Sequence, residues 1–382
     1  MAADLMDYFP AISDLEAKAR RRIPAFAWTY LESGTGQDVA RDENIAALER
    51  VKFVPQFLKG VLAPQIETEL FGVTYSAPIG IAPVGLTGLI WPGADEALAR
   101  TAAVHRIPYV LSTVATAAPE TAGPTSDGMG WFQLYPPRDR SIRESLLQRA
   151  AESGLTALVV TADVPAPSRR ERQRKAQLRV PPAITPKLIA SAAICPSWVR
   201  ALREHGSPRF KTLEPYVDSE DMKKTAGFVG AHLGGTLSWE YLSELRDEWT
   251  GPLVVKGILD PDDAQRSVDL GADSVWVSNH GGRQLDGAVG AIDALEPIAT
   301  RLNRSVPLIF DSGIRDGIDV ARALALGADF CFAGRAFMFG LGALGDQGPA
   351  HALEIMSDGL VNVLHQVGVE ELSDLSSRLA PR

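Results

Sequence analysis

Ser274-Val275-Trp276-Val277-Ser278-Asn279-His280-Gly281-Gly282-Arg283-Gln284-Leu285-Asp286-Gly287 joins an apolar run to a polar turn. The run reads as a buried parallel strand. The two glycines permit a sharp turn and let a ligand approach the backbone closely. His280 offers a base whose pKa can be set near neutrality. Arg283 offers a two-pronged donor for a carboxylate. Taking a proton from a carbon or hydroxyl beside a carboxylate needs both. A lone His-x-x-Arg is a weak signal, since His280 could cap a strand and Arg283 could be a solvated loop charge.

Working outward, the same unit recurs. Short apolar runs alternate with helical patterns from about residue 77, the signature of βα units around a parallel sheet. The runs are Ala77–Ala82, Tyr109–Leu111, Gly130–Phe132, Ala157–Val160, Leu253–Val255, Ser274–Val277, Pro307–Phe310 and Phe330–Ala333. Eight such units are the count of a (β/α)8 barrel. A doubly wound sheet could use the same alternation, but the first strand lacks the G-x-G-x-x-G turn of a dinucleotide fold. Nearly every run also ends in chemically capable residues: Ser112, Gln133, Tyr135, Thr161, Asp163, Lys256, His280, Asp311 and Arg335. A barrel gathers those ends on one face.

The frame around this barrel is expected as an N-terminal helical segment (1–76), a barrel (77–340) interrupted by a long insertion (164–250), and C-terminal helices (341–382), forming one domain. Ser13 is expected to cap an early helix, and residues 1 to about 60 to be mainly helical. The 382 residues carry a net charge of −9, which speaks against general nucleic-acid binding. Two separated cysteines, Cys195 and Cys331, fit no metal spacing and suit a reducing compartment. No metal is expected. Without a signal-peptide pattern or a membrane-length apolar run, a cytoplasmic location is expected.

The turns after strands seven and eight, Asp311-Ser312-Gly313-Ile314-Arg315 and Ala333-Gly334-Arg335, lie where barrels often hold a phosphate. Lys256 reads as a buried cation in need of an anion. A phosphate site with a central cation suggests a phosphorylated cofactor across the barrel mouth. Gln133 and Thr161 could bond a flat heterocycle. Asp163 could pair with His280 and stabilise its protonated form.

The ordered set Trp-Phe-Gln-Leu-Tyr (131–135), Thr-Ala-Asp (161–163), Val-Lys-Gly (255–257), Ser-Asn-His-Gly-Gly-Arg-Gln-Leu-Asp-Gly (278–287), Asp-Ser-Gly-Ile-Arg (311–315) and Gly-Arg (334–335) resembles the FMN-dependent (S)-2-hydroxy acid oxidases and dehydrogenases. The resemblance runs from about residue 10 to about 370. It implies a TIM barrel, an FMN cofactor and oxidation of a 2-hydroxy acid to a 2-oxo acid. It implies His280 as the proton acceptor with Asp163 as its partner, and Arg283 and Arg170 as a carboxylate clamp aided by Tyr30. Tyr135 would bond the substrate oxygen, and Lys256 would stand by the flavin N1–C2=O edge. Pro83, Val84, Gly85, Ser112, Gln133, Tyr135, Thr161 and Ser278 would contact the isoalloxazine and ribityl chain. Asp311, Gly313, Arg315, Gly334 and Arg335 would hold the ribityl and phosphate.

Within the family the likeness runs towards mandelate dehydrogenase-type members, on Leu-Ile-Trp-Pro-Gly (89–93), Ile-Pro-Tyr-Val-Leu-Ser-Thr (107–113) and the 181–210 segment. Gly85, where many oxidases carry alanine, points to a dehydrogenase using a quinone or other acceptor. The alternatives are an oxidase reducing O2 to H2O2, an L-lactate-type dehydrogenase, an FMN isomerase, and a ligand-binding barrel without catalysis. Family tendency implies a homotetramer. In the insertion, Arg169 to Lys187 holds seven basic residues against one acidic, Glu171, followed by apolar Leu188–Ile194 and Trp198. This 181–215 segment reads either as a peripheral contact with the inner face of a membrane or as a mobile lid over the active site, with solvated charges and a helix packed on a neighbouring subunit.

Overall fold

Eight parallel strands close into a barrel: β1 (Ile79–Ile81), β2 (Tyr109–Ser112), β3 (Gly130–Leu134), β4 (Leu158–Thr161), β5 (Leu253–Ile258), β6 (Ser274–Val277), β7 (Leu308–Phe310) and β8 (Phe330–Ala333). Each pairs with its neighbours in sequence, and β8 closes on β1. The computed structural model describes residues 4–176, 185–217, 222–233 and 237–381. The strands are apolar without alternation because both faces are covered: side chains fill the inside and helices pack the outside. Asp260 begins one such helix, with Pro261 in its first turn, accepting from the amides of Asp262 (2.8 Å) and Asp263 (3.2 Å).

Aromatic rings fill the barrel. Phe332 of β8 lies 4.3 Å from Trp276 and 5.4 Å from Trp131, centroid to centroid. Its register partner on β1 is Gly80. A Cβ at Gly80 would stand 2.4 Å from Phe332 Cε1, so the smallest residue on one strand accommodates a large ring on the next. These rings make the interior a packed floor, and ligands are confined to the mouth above it.

The chain before the barrel departs from expectation in three places. Ser13 is not the cap: the helix Ile12–Arg22 starts after Ala11, whose amide is taken by the Asp14 carboxylate (3.1 Å). The carboxylate reaches back from the third helical position and does the capping work instead. Helices end at Arg50, and residues 51–67 run without helix. Thr68–Leu70 and Val73–Tyr75 then form a short antiparallel hairpin below the barrel, absent from the sequence reading because each strand has only three residues. The eight barrel strands are where the apolar runs placed them.

Outside the barrel, the helix Gly317–Ala325 packs on the long helix Gly348–Val367. They meet so closely that a Cβ on Gly317 would lie 1.9 Å from the Leu360 nitrogen. Backbone cannot yield as a flexible side chain can. Gly317→Ala is therefore expected to destabilise the protein by about 1–3 kcal/mol, seen as a lower denaturant midpoint. An unchanged midpoint would show that the two helices separate freely.

Candidate active site

The β-strand ends converge on one cavity of about 1010 Å3, counting its open mouth. Tyr30, Tyr135, Arg170, Lys256, His280 and Arg283 line it together, with Pro83, Val84, Gly85, Gln133 and Thr161 on the wall. Asp311, Gly313, Arg315, Gly334 and Arg335 complete it. Three predicted site residues stand behind the wall. Asp163 backs His280, Ser112 donates to Gln133 Oε1 (2.8 Å), and Ser278 lies under Lys256.

His280 sits just past β6 in the left-handed region, φ 59. Its amide donates to Ser278 Oγ (3.0 Å), and Nδ1 is 2.8 Å from Asp163 Oδ1. That contact assigns the Nδ1 proton to the Asp163 side and leaves Nε2 towards Tyr135 OH, 3.5 Å away. Asp163 reaches His280 because of Gly257. There β5 is irregular in its register with β6, φ is 101, and a Cβ would lie 2.5 Å from Asp163 Cβ and Cγ. The Val-Lys-Gly motif thus needs its glycine to admit the carboxylate.

Burial of Asp163 raises its pKa, but the charge of His280, the hydrogen bond to it and the charge of Lys256 outweigh burial and hold the carboxyl below its usual value. Such a group stays anionic through neutral pH, which suits it to stabilise an imidazolium. Burial and the neighbouring Asp163 push the Tyr135 phenol up, keeping it protonated as a donor.

Lys256 donates to Ser278 Oγ (2.8 Å) and pairs with Asp311 Oδ2 at 3.0 Å. The sequence left this cation without a protein partner, because Asp311 is remote along the chain. The barrel supplies one two strands away, while Asp311 still faces the cavity. Asn279, singled out by no chemical signal, exchanges amide bonds with Asn44 (2.8 and 2.7 Å) and so fixes the turn beside His280.

The guanidinium groups set the character of the cavity. Arg283 Nη1 donates to the carbonyls of Tyr30 (2.9 Å) and Ser33 (3.0 Å). Arg335 donates to those of Leu31 (3.1 Å), Ser33 (3.1 Å) and Gly281 (3.0 Å). The Arg315 guanidinium donates to Ile314 O at 2.8 Å. Burial depresses all three; Arg283 is pushed down to about 10, and the neighbouring cations Arg283, Arg315 and Arg41 add to the effect at Arg335. Guanidinium remains charged regardless, so the depression expresses how unfavourably these like charges are placed until an anion joins them.

The wall fits FMN. Arg315 and Arg335 stand with the amides that open the helix Arg335–Leu344, whose cap Gly334 has no side-chain bond. Cations beside open helix amides are the donor set that a phosphate would need. Gln133 Nε2 donates to Thr161 Oγ1 (2.8 Å), orienting a polar edge of the wall. Pro83-Val84-Gly85 forms a flat side, and Tyr30 OH ties it to the clamp by donating to Gly85 O (2.9 Å).

Comparison with known proteins agrees with this geometry. Residues 19–381 match the family FMN-dependent dehydrogenase. L-lactate dehydrogenase of Pseudomonas paraeruginosa is 36% identical over 369 residues, 96% of this chain and 97% of the relative. That of Stenotrophomonas maltophilia is 36% identical over 367 residues, covering 96% and 97%. The crystal structure of the monotopic membrane protein (S)-mandelate dehydrogenase superposes with TM-score 0.93 at 32% identity, covering 98% of this chain and 100% of the other. Mandelate oxidase superposes with TM-score 0.83 at 30% identity, covering 98% of both chains.

Arg315→Gln should weaken FMN binding about 10- to 100-fold, the loss of one or two charge-assisted bonds. Riboflavin, which lacks the phosphate, should bind both proteins within about twofold of each other. Equal losses for FMN and riboflavin, measured by flavin fluorescence titration of apoprotein, would place the phosphate elsewhere.

Proposed function

We propose that this chain, which belongs to the FMN-dependent dehydrogenase family, oxidises an aromatic, mandelate-like (S)-2-hydroxy acid to the 2-oxo acid and passes the electrons to a quinone or another acceptor. By its family and its relatives it is an FMN-dependent 2-hydroxy acid dehydrogenase or oxidase. The observation that carries the 2-hydroxy acid chemistry is His280, backed by Asp163 at 2.8 Å, facing the same cavity as Arg170, Arg283 and Tyr135. The aromatic preference is supported by the likeness to mandelate dehydrogenase along the whole chain. The L-lactate dehydrogenases at 36% identity favour a second reading, with a small aliphatic acid as substrate.

FMN, when bound, supplies the acceptor for the two electrons that leave the substrate's C2. The chain's own groups do the rest. Arg170 and Arg283 hold the carboxylate, and Tyr30, whose ring lies 5.1 Å beneath the Arg283 guanidinium, keeps that group in place. His280 Nε2 takes the substrate proton. Asp163 favours the resulting imidazolium, a service worth orders of magnitude when the base must gain charge in a closed site. Tyr135 donates to the substrate oxygen. Lys256 keeps a fixed positive charge at the cavity wall, oriented by Asp311 and Ser278.

The insertion bears on where the enzyme works. Among the described residues no helix is long and apolar enough to cross a membrane. Trp198, which the sequence left between a membrane contact and a helix packed on protein, is buried within this chain. It packs edge-on against Phe26 at 5.8 Å and donates to Ile90 O (3.1 Å). Residues 177–184 of the basic run lie outside the described residues. The peripheral contact that we propose therefore uses Ile189 and Ile194, which are 56% and 78% exposed. Replacing both by serine should abolish co-sedimentation with anionic vesicles. Undiminished sedimentation would remove these residues from the contact.

Anaerobic mixing with mandelate, lactate and glycolate in turn should bleach the flavin fastest with mandelate. Fastest bleaching by lactate would select the second reading. Reoxidation by air in milliseconds would select an oxidase. Asp163→Asn should slow bleaching at least about 100-fold. An unchanged rate would deny His280 its charged partner.

A further inference from the structure

The two arms of the carboxylate clamp come from distant parts of the chain. Arg283 follows β6, and Arg170 opens the insertion after β4. One short strap, residues 30–38, touches both. Arg283 is anchored to it through the carbonyls of Tyr30 and Ser33. Arg170 is held with φ 44, its amide donating to Thr35 Oγ1 (3.2 Å) and its Nε to Ser168 Oγ (2.9 Å). No carboxylate of the strap touches Arg170 among the described residues.

The turn that follows Arg170 does the gripping. Gly36 N donates to Glu171 Oε2 (2.7 Å), and Gln173 Nε2 donates to Ser33 Oγ (3.1 Å). Arg172 pairs with Glu32 at 2.7 Å and also with Asp38. Those two acids are shared with Arg41, which pairs with Glu32 and lies 3.3 Å from Asp38. Asp38 also closes the strap on itself, accepting from Gly34 N at 2.7 Å. Of the two cations in this quartet, only Arg172 comes from the insertion. Asp38 and Glu32 side chains are 7% and 19% exposed, so their charges are poorly solvated and hold Arg172 more firmly than surface partners would. The Arg172 side chain is 42% exposed; it borders the solvent and lines no part of the cavity.

We infer that Arg172, acting with Glu32 and Asp38, is a positioning residue that latches the start of the insertion to the strap and thereby sets where Arg170 meets the substrate carboxylate. Resting on the function proposed above, this adds a second role to the strap: the same nine residues gauge the spacing between the two guanidinium groups. Without the latch, the turn keeps its neutral ties, Arg170 N to Thr35 Oγ1 and Gln173 to Ser33, and the Gly36 amide bond to Glu171, but loses the two-acid ionic tie that fixes its angle to the strap. A displaced arm weakens carboxylate binding while His280, Asp163 and the cofactor wall remain as they were.

The test compares wild-type holoenzyme with Arg172→Gln and Arg172→Lys. Arg172→Gln should raise the KM for the 2-hydroxy acid, and the Kd of the inert carboxylate benzoate read from the flavin spectrum, by about tenfold. That is less than the ~100-fold a full ångström of misplacement can cost. The kcat should change less than about twofold, and FMN affinity should hold. Arg172→Lys, a point charge that can serve one acid but not both, should recover part of the loss. Unchanged KM and benzoate binding in Arg172→Gln would overturn the latch. So would a joint fall of kcat, FMN affinity and thermal midpoint, which marks a merely structural contact. Wild-type enzyme that no 2-hydroxy acid bleaches would overturn the underlying function and the latch with it, whereas normal wild-type bleaching beside an unaffected variant overturns the latch alone.

Discussion

Three guanidinium groups, those of Arg283, Arg315 and Arg335, stand around one cavity, and among the described residues they donate to backbone carbonyls. Like charges gathered this way repel, and burial in protein worsens the repulsion. Carbonyl dipoles offset part of that cost, and anionic ligands offset the rest. The site is therefore a positive basin before any ligand arrives. A phosphate at the Arg315–Arg335 side and a carboxylate at the Arg170–Arg283 side are complementary to it.

The carbonyls that make this tolerable belong mostly to residues 30–33, outside the barrel. The barrel supplies strand ends at fixed spacings, and its aromatic floor of Trp131, Trp276 and Phe332 closes the cavity from below. The N-terminal segment supplies oxygen acceptors at the height where the arginines need them. Asp286, on the loop that carries His280 and Arg283, in turn accepts from the amides of Gln37 (2.7 Å) and Ala40 (3.2 Å). The contact is reciprocal: the loop's carboxylate satisfies the start of the helix Val39–Arg50, while the strap's carbonyls satisfy the loop's arginine.

Strand positions were legible because a strand covered on both faces must be apolar along its length, and that pattern survives in the sequence without knowledge of neighbours. The eight runs and their polar ends followed directly. The hairpin at 68–75 was illegible because three-residue strands carry no period to detect. Ser13 misled because serine is a good cap by propensity, yet the local backbone gave the capping to Asp14. Trp198 was left open between two readings for a different reason. Composition marks tryptophan as suited to an interface, and only the packing of helix Pro196–His205 onto Phe26 and Ile90 decides that it faces inward.

The chemical groups of the site, His280, Arg283, Lys256, Asp163 and the glycines between them, were written in the sequence, because residue type and local turn geometry are properties of short segments. Their pairings were not. That Lys256 meets Asp311, that Gly257 leaves room for Asp163, and that Arg172 meets Glu32 and Asp38 are contacts between segments tens to hundreds of residues apart. Such contacts are set by barrel closure and by the docking of the N-terminal segment, so the folded chain alone decides them.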